Sequence, residues 1–368
     1  MKFTLIRDQF LKSLQQVTGA LGSRPSLPIL GNILLQVEQG LLAITCTDLE
    51  VELIAEFQLE GEYQNGAITV PSRKFLDICR SLPENAEIQF KVENERATLR
   101  SGRSRFTLAT LPAEDYPNID SWESTAEFTL PQASLRQLMD KTAFSMANQD
   151  VRYFLNGMLL ETEGKTLRAV STDGHRMAVA SIELETESAT QQIILPRKGV
   201  MELMRLLDKP EAPVTIQIGS ANLRAQLNQF IFTSKLVDGR FPDYRRVIPQ
   251  NSDKFMLANG SELRQALSRA AILSNEKFRG VRLNLTQNQL RISAQNPEQE
   301  ESEEFLDVNY PHEELEIGFN VNYLLDVLNT LKAENIRISM RDSIASALVE
   351  NLVESDDNSM YVVMPIRL

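Results

Sequence analysis

The chain repeats itself three times, and this constrains its fold more than any single residue does. Lys2-Phe3-Thr4-Leu5 returns as Glu127-Phe128-Thr129-Leu130 and again as Lys254-Phe255-Met256-Leu257. Thr47-Asp48 is matched by Thr172-Asp173, with Gln295-Asn296 near the same place. Val70-Pro71 is matched by Leu195-Pro196 and Phe319-Asn320, and Tyr116-Pro117 by Phe241-Pro242. The offsets cluster at 123–127 residues. The implied domains are 1–125, 126–253 and 254–368, each long enough to hold its own core.

Helical stripes follow each opening segment: Phe10, Leu14, Val17 and Leu21, then Leu135, Leu138, Thr142 and Met146, then Leu263, Leu267 and Ala270. The patterns predict helices over 7–20, 132–147 and 261–273. A second helix follows each proline landmark, at 72–82, 197–207 and 321–332. Leu290, Ile292 and Ala294 alternate with Arg291 and Ser293, the period of a half-buried strand. Residues 33–38, 42–47, 51–57 and 104–111 pattern likewise. The fold class is therefore α+β, with three tandem similar domains, each of two helices packed on β-sheets.

Charge is segregated along the chain. The net charge is −12, yet the six helical segments sum to +7, leaving −19 for the rest. Arg73 and Arg80 share a helix face, and Lys198 and Arg205 stand 125 residues on. Repeat three carries Asn322 and Asn329 there. Such cations can simply solvate exposed helices. Their recurrence in an acidic chain favours an electropositive surface that faces phosphates.

Catalytic constellations are scarce. His175 and His312 are the only histidines, and no His-Glu-x-x-His motif occurs. Gly164-Lys165-Thr166 ends like a phosphate-binding loop, but Leu159 stands where the earlier glycine belongs. Cys46 and Cys79 lack metal-ligand spacing and make no disulfide framework, which suits a reducing cytoplasm. Asp48 and Asp173 occupy equivalent points of different repeats, where a turn role is expected. No apolar run reaches membrane-spanning length, and residues 1–8 lack the apolar core of a secretory signal. The expectation is no enzyme, no cofactor and no metal.

Five stretches carry a resemblance: Leu27-Pro28-Ile29-Leu30-Gly31-Asn32, Ser171-Thr172-Asp173-Gly174-His175-Arg176, Asp238-Gly239-Arg240-Phe241-Pro242-Asp243-Tyr244, Ile272-Leu273-Ser274-Asn275-Glu276-Lys277 and Tyr361-Val362-Val363-Met364-Pro365-Ile366-Arg367-Leu368. They resemble the beta subunits of bacterial DNA polymerase III, over the whole length. The resemblance implies a sliding clamp: a head-to-tail homodimer closed as a ring around double-stranded DNA, helices lining the hole. It is non-catalytic and confers processivity in DNA replication. Implied partners are the clamp loader complex, the DNA polymerase III alpha subunit and other proteins bearing short clamp-binding peptides. The implied location is the cytoplasm, at nucleoid-associated replication forks.

Site residues follow from the same resemblance. DNA contacts carry over to Arg24, Arg73, Gln149, Tyr153 and Phe154, with Phe154 standing where the family has tyrosine. Arg80, Lys198 and Arg205 join them from the charge pattern. A partner-peptide pocket carries over to Arg152, Leu155, Thr172, Gly174, His175, Arg176, Met177, Pro242, Arg246, Val247, Val362, Met364, Pro365 and Arg367; Met177 replaces an expected leucine. For the dimer interface, Arg96, Arg100, Arg103 and Arg105 of domain one oppose the acidic run Glu298 to Glu304 of domain three, Glu300, Glu301 and Glu304 among them. Phe106, Leu108, Ile272 and Leu273 form the implied apolar centre. On the residues alone, an interaction scaffold and a metal-dependent phosphodiester-cleaving enzyme remain alternatives. Retention on circular but not linear DNA separates the clamp from both.

Overall fold

The computed structural model describes residues 1–22, 27–119, 122–352 and 358–367. Repeat one runs β1 (Lys2–Ile6), α1 (Arg7–Val17), β2 (Asn32–Glu38), β3 (Leu41–Thr47), β4 (Val51–Gln58), β5 (Gly66–Pro71), α2 (Ser72–Ser81), β6 (Glu87–Glu93), β7 (Arg96–Ser101) and β8 (Ser104–Ala109). Repeat two has β9 (Ala126–Pro131), α3 (Gln132–Asp140), two long strands β10 (Gly157–Thr172) and β11 (Arg176–Pro196), α4 (Arg197–Leu206), β12 (Pro213–Ile218), β13 (Asn222–Leu227) and β14 (Phe230–Lys235). Repeat three returns to short strands: β15 (Lys254–Asn259), α5 (Gly260–Ala270), β16 (Gly280–Thr286), β17 (Gln289–Gln295), β18 (Glu301–Asp307), β19 (Leu315–Asn320), α6 (Val321–Leu331), β20 (Asn335–Met340), β21 (Ala347–Asn351) and β22 (Ser359–Val363).

The helices bury the predicted stripes. Phe10 of α1 meets Phe75 of α2 edge to face at 5.7 Å, and Phe75 meets Phe90 of β6 at 6.2 Å. Phe57 of β4 reaches Phe10 from the other sheet, so one helix pair serves two sheets. Asn259 caps α5 by accepting from the Ser261 and Glu262 amides at 3.0 Å.

Two expectations need correction. The third repeat begins one residue later than its sequence suggests: Met256 is buried at the position of Phe3 and Phe128, whereas Phe255 is not fully buried. All three buried residues stand four positions before their helix, and a one-residue slip in a strand exchanges its faces. The helix expected over 132–147 ends at Asp140. Thr142 Oγ1 donates to Leu138 O at 3.1 Å, and a separate short turn follows at Ala143–Ser145.

Sheet pairing does not respect the repeats. The chain divides into two compact units, Met1–Leu135 with Lys198–Leu236, and Arg136–Arg197 with Val237–Leu368. In the first unit β14 of repeat two pairs with β4 of repeat one, completing an eight-stranded sheet. In the second unit β22 of repeat three pairs with β11 of repeat two, completing a six-stranded sheet. The two junctions share one register: Phe232 faces Leu53, and its counterpart Tyr361 faces Ala178. Among the described residues, the corresponding strands β8 and β18 remain sheet edges.

Candidate functional site

The second junction builds an apolar surface from three segments. Asp173 Oδ1 accepts from the His175 and Arg176 amides at 2.9 and 3.0 Å, and Thr172 Oγ1 donates to Arg176 O at 2.6 Å. This tight turn places Gly174 at φ +88°, a conformation costly to other residues. Asp48 makes the matching turn in repeat one, accepting from Glu50 and Val51. The chain end then lies along the turn, with Met364 N donating to His175 O at 2.9 Å and Ile366 N to Gly318 O at 2.8 Å.

Strand alternation sorts the terminal residues. Tyr361 and Val363 enter the core of repeat three, whereas Val362 joins Leu155, Met177, Phe241 and Tyr244 in a separate buried cluster. Val247 and Met364 are 42% and 41% exposed, and Pro242 and Arg246 are exposed as well. Arg246 and Val247 line a cavity of about 600 Å³ with Ile248, Ile344 and Ser346. His175 and Arg367 line another, of about 510 Å³, with Phe278, Asn320 and Tyr323. Sequence reasoning missed these last residues, though the exposure of Phe278 marks them. The expected pocket is thus a buried floor flanked by two open cavities, with Thr172 and Pro365 half-buried.

Arg152, Arg176 and Arg246 of the expected set are engaged in ion pairs. Arg176 is held between Phe144 and Tyr323, its guanidinium carbon 5.2 and 4.6 Å from their rings, and it pairs with Asp173 and Asp326. Arg152 pairs with Asp150, and its hydrogen bonds bring that carboxyl down to about 2. Behind the floor, Glu161 is 4% exposed. It accepts from Arg168 at 2.6 Å, Tyr244 at 2.8 Å, Gln192 at 2.6 Å and Arg245 at 3.0 and 3.1 Å. Burial pushes the Glu161 carboxyl up, but these hydrogen bonds and the Arg245 charge outweigh it and bring it to about 2.

The other expected surfaces are mixed. Arg73, Gln149 and Tyr153 are exposed, and Arg80 is exposed beside Asp77. Phe154 is half-buried against the floor cluster. Arg24 lies outside the described residues. Lys198, expected exposed, is half-buried: its ammonium donates to Ala20 O at 2.6 Å and pairs with Asp48. Arg205 bonds Gln15 O, Gln16 O and Glu202. Both cations complete the first junction.

Arg96, Arg100, Arg103, Arg105, Glu300 and Glu301 are exposed, and Ile272 is 76% exposed beside half-buried Leu273. Two interface expectations need correction. Leu108 is only 6% exposed, because Ser104, Phe106 and Leu108 share a strand face that is progressively covered. Glu304 is not a free charge; it faces α5 and takes two hydrogen bonds from Arg269, at 2.8 and 2.5 Å.

Three family models match the chain in order: the N-terminal, central and C-terminal domains of the DNA polymerase III beta subunit, over residues 1–120, 129–243 and 245–367. The chain is 64% identical to the beta sliding clamp of Vibrio cholerae and 60% identical to that of Escherichia coli, each over 100% of both chains. Its fold matches a Pseudomonas aeruginosa DNA polymerase sliding clamp solved with ligand, at TM-score 0.97 and 50% identity. It also matches a clamp from that organism bound to griselimycin, at TM-score 0.96 and 51% identity. Both matches cover 100% of each chain.

Proposed function

This chain belongs to the DNA polymerase III beta subunit family, and from that premise we propose how its residues do the work of a DNA sliding clamp. Two copies close head to tail into a ring around duplex DNA, without base readout or catalysis, and tether the replicative polymerase. Three domains per copy, over 1–125, 126–253 and 254–368, supply the six parts. The setting is the cytoplasm, at the nucleoid.

The observation that carries this reading is the shared register of the junctions. β14 closes on β4 and β22 closes on β11, which leaves β8 and β18 as edges of the same kind. Applying the register to those edges sets Phe106 opposite Ser302, and Arg105 opposite Glu303, of a second copy. The aromatic counterparts Phe232 and Tyr361 are fully buried, whereas Phe106 is half-buried. Tyr361 lies 5.8 Å from Phe144, and Ile272 is the counterpart of Phe144. Phe106, Ile272 and Leu273 therefore form the centre of the contact, with Arg96, Arg103 and Arg105 facing Glu300 and Glu301 across its rim. This heterologous contact closes after two copies.

Arg24, Arg73, Arg80, Gln149, Tyr153 and Phe154 supply weak, salt-dependent contacts to DNA held by topology. The floor of Leu155, Met177 and Val362, with Val247 and Met364 at its rim, receives short apolar peptides of the polymerase alpha subunit, the clamp loader and other partners. Griselimycin bound to a close relative supports a ligand-receiving surface on this fold. Loading on nicked circles, followed by linearisation, tests the ring. Retention on circles with loss on cutting is expected, and equal retention on both would refute it.

A further inference from the structure

We propose that Glu161 is a positioning residue for the partner-peptide pocket, holding the Pro242–Val247 wall in place through Tyr244 and Arg245 before any peptide arrives. This rests on the pocket reading above. Tyr244 and Arg245 belong to the short helical turn Tyr244–Arg246, which ends at Val247 on the pocket rim. The Tyr244 ring lies in the same buried cluster as Leu155, Met177 and Val362, so one side chain joins the carboxylate to the pocket floor.

Repeat one shows that the fold does not demand this network. Counting back 125 residues, Glu161 corresponds to Gln36, Arg168 to Ala43 and Tyr244 to Ile119. The matching loop there is held at its start by Tyr116 and again at Ile119, whose backbone amide donates to Glu52 Oε2 at 3.1 Å. The buried Tyr116 hydroxyl meets the Thr47 amide at 3.2 Å and the carbonyls of Asn32 and Thr45 at 3.3 and 3.4 Å. In repeat two that position is Phe241, which has no hydroxyl. The side-chain hydroxyl that ties the loop has moved three residues along the chain, to Tyr244 on the turn that presents the pocket wall. Five hydrogen bonds converge on Glu161, three of them from the turn itself, and a fully satisfied buried network of this kind rigidifies what it holds.

The test uses the full-length chain and a synthetic peptide rich in Leu and Phe, with association and dissociation measured separately. Glu161→Gln and Tyr244→Phe should each slow association about tenfold while leaving dissociation unchanged, because only the competent fraction of pockets falls. The double variant should lose no more than the worse single variant, since both act through one unit. Tyr116→Phe, which cuts the repeat-one tether, should lower thermal stability and leave both rates alone. Unchanged association in folded Glu161→Gln or Tyr244→Phe protein would overturn the proposal, as would an equal loss in Tyr116→Phe. Failure of the parent chain to bind the peptide would overturn the pocket reading, and this proposal with it.

Discussion

The two closed junctions share a strand register but differ in what they leave at the surface. At the first, the positions of Met177, Val247 and Met364 hold Glu52, Trp122 and Lys235. Trp122 packs on Gly219 beneath the Arg224 guanidinium, and Glu52 Oε2 accepts from the Ile119 amide at 3.1 Å. Even the turn differs: Leu49 sits at φ +78° where the second junction has Gly174. The first junction keeps a cavity of about 330 Å³ there, lined by Thr47, Asn118, Asn222 and Lys235 beside Leu49 and Trp122, whereas the second keeps exposed Val247 and Met364 above an apolar floor. Strand pairing therefore holds the chain together at both places, and a partner site needs something more, an apolar surface that the chain does not cover itself.

The largest effects should come from breaking a closed junction. Phe232→Ala or Tyr361→Ala should cost about 3–5 kcal/mol in denaturant midpoints, the usual range for emptying an aromatic site in a core. Phe106→Ala should cost less than about 1 kcal/mol in the subunit, yet halve the mass seen by light scattering, as should Ile272→Ala with Leu273→Ala. A dimer mass unchanged in both variants would remove the third junction from the scheme. Deleting Met364 to Leu368 comes next. It should weaken peptide binding at least about 100-fold, roughly 2.7 kcal/mol, with dimer mass intact by calorimetry and scattering on the same samples.

Smaller effects sharpen the contrast. Lys198→Ala should cost about 1 kcal/mol of stability, because it strips a partner from Asp48 and Ala20 O at the first junction. Arg73→Ala, its counterpart on the open edge, should leave stability unchanged and flatten the salt dependence of DNA association by about 0.9 in the log–log slope. The smallest concerns Glu52, whose carboxyl burial pushes up despite the Ile119 hydrogen bond. A folded-state value above the unfolded one means the ionised form costs stability at neutral pH, and the cost vanishes on acidification. Glu52→Gln should therefore gain a few tenths of a kcal/mol at pH 7 and nothing at pH 3, in urea midpoints. A gain that grows with acidity would reverse the assigned sign.

Much of the architecture was legible in the sequence because it rests on local regularities. Helix stripes, strand alternation and the paired turns at Asp48 and Asp173 depend on spacing within a few residues, and spacing is written in the chain. Triplication was legible too, although an aromatic at Phe255 drew the third repeat one residue out of step, since burial at Met256 is decided by the strand's face and not by residue type. The resemblance supplied an expected set of pocket residues, but not that Thr172 and Arg176 are largely spent on turn and junction bonds.

What the sequence alone determined is the six helices and the strands with clear alternation, their threefold order and the segregation of charge, all of which follow from short-range periodicity and composition. What only the tertiary structure decided is which edges pair. The sheets cross from one repeat to the next, Lys198 and Arg205 become junction ties in place of free cations, Glu304 turns to Arg269, and Glu161 gathers Tyr244 and Arg245. Each of these is a choice between partners more than 30 residues apart, made by which backbone edges and buried charges find satisfaction together, and no local pattern records that choice.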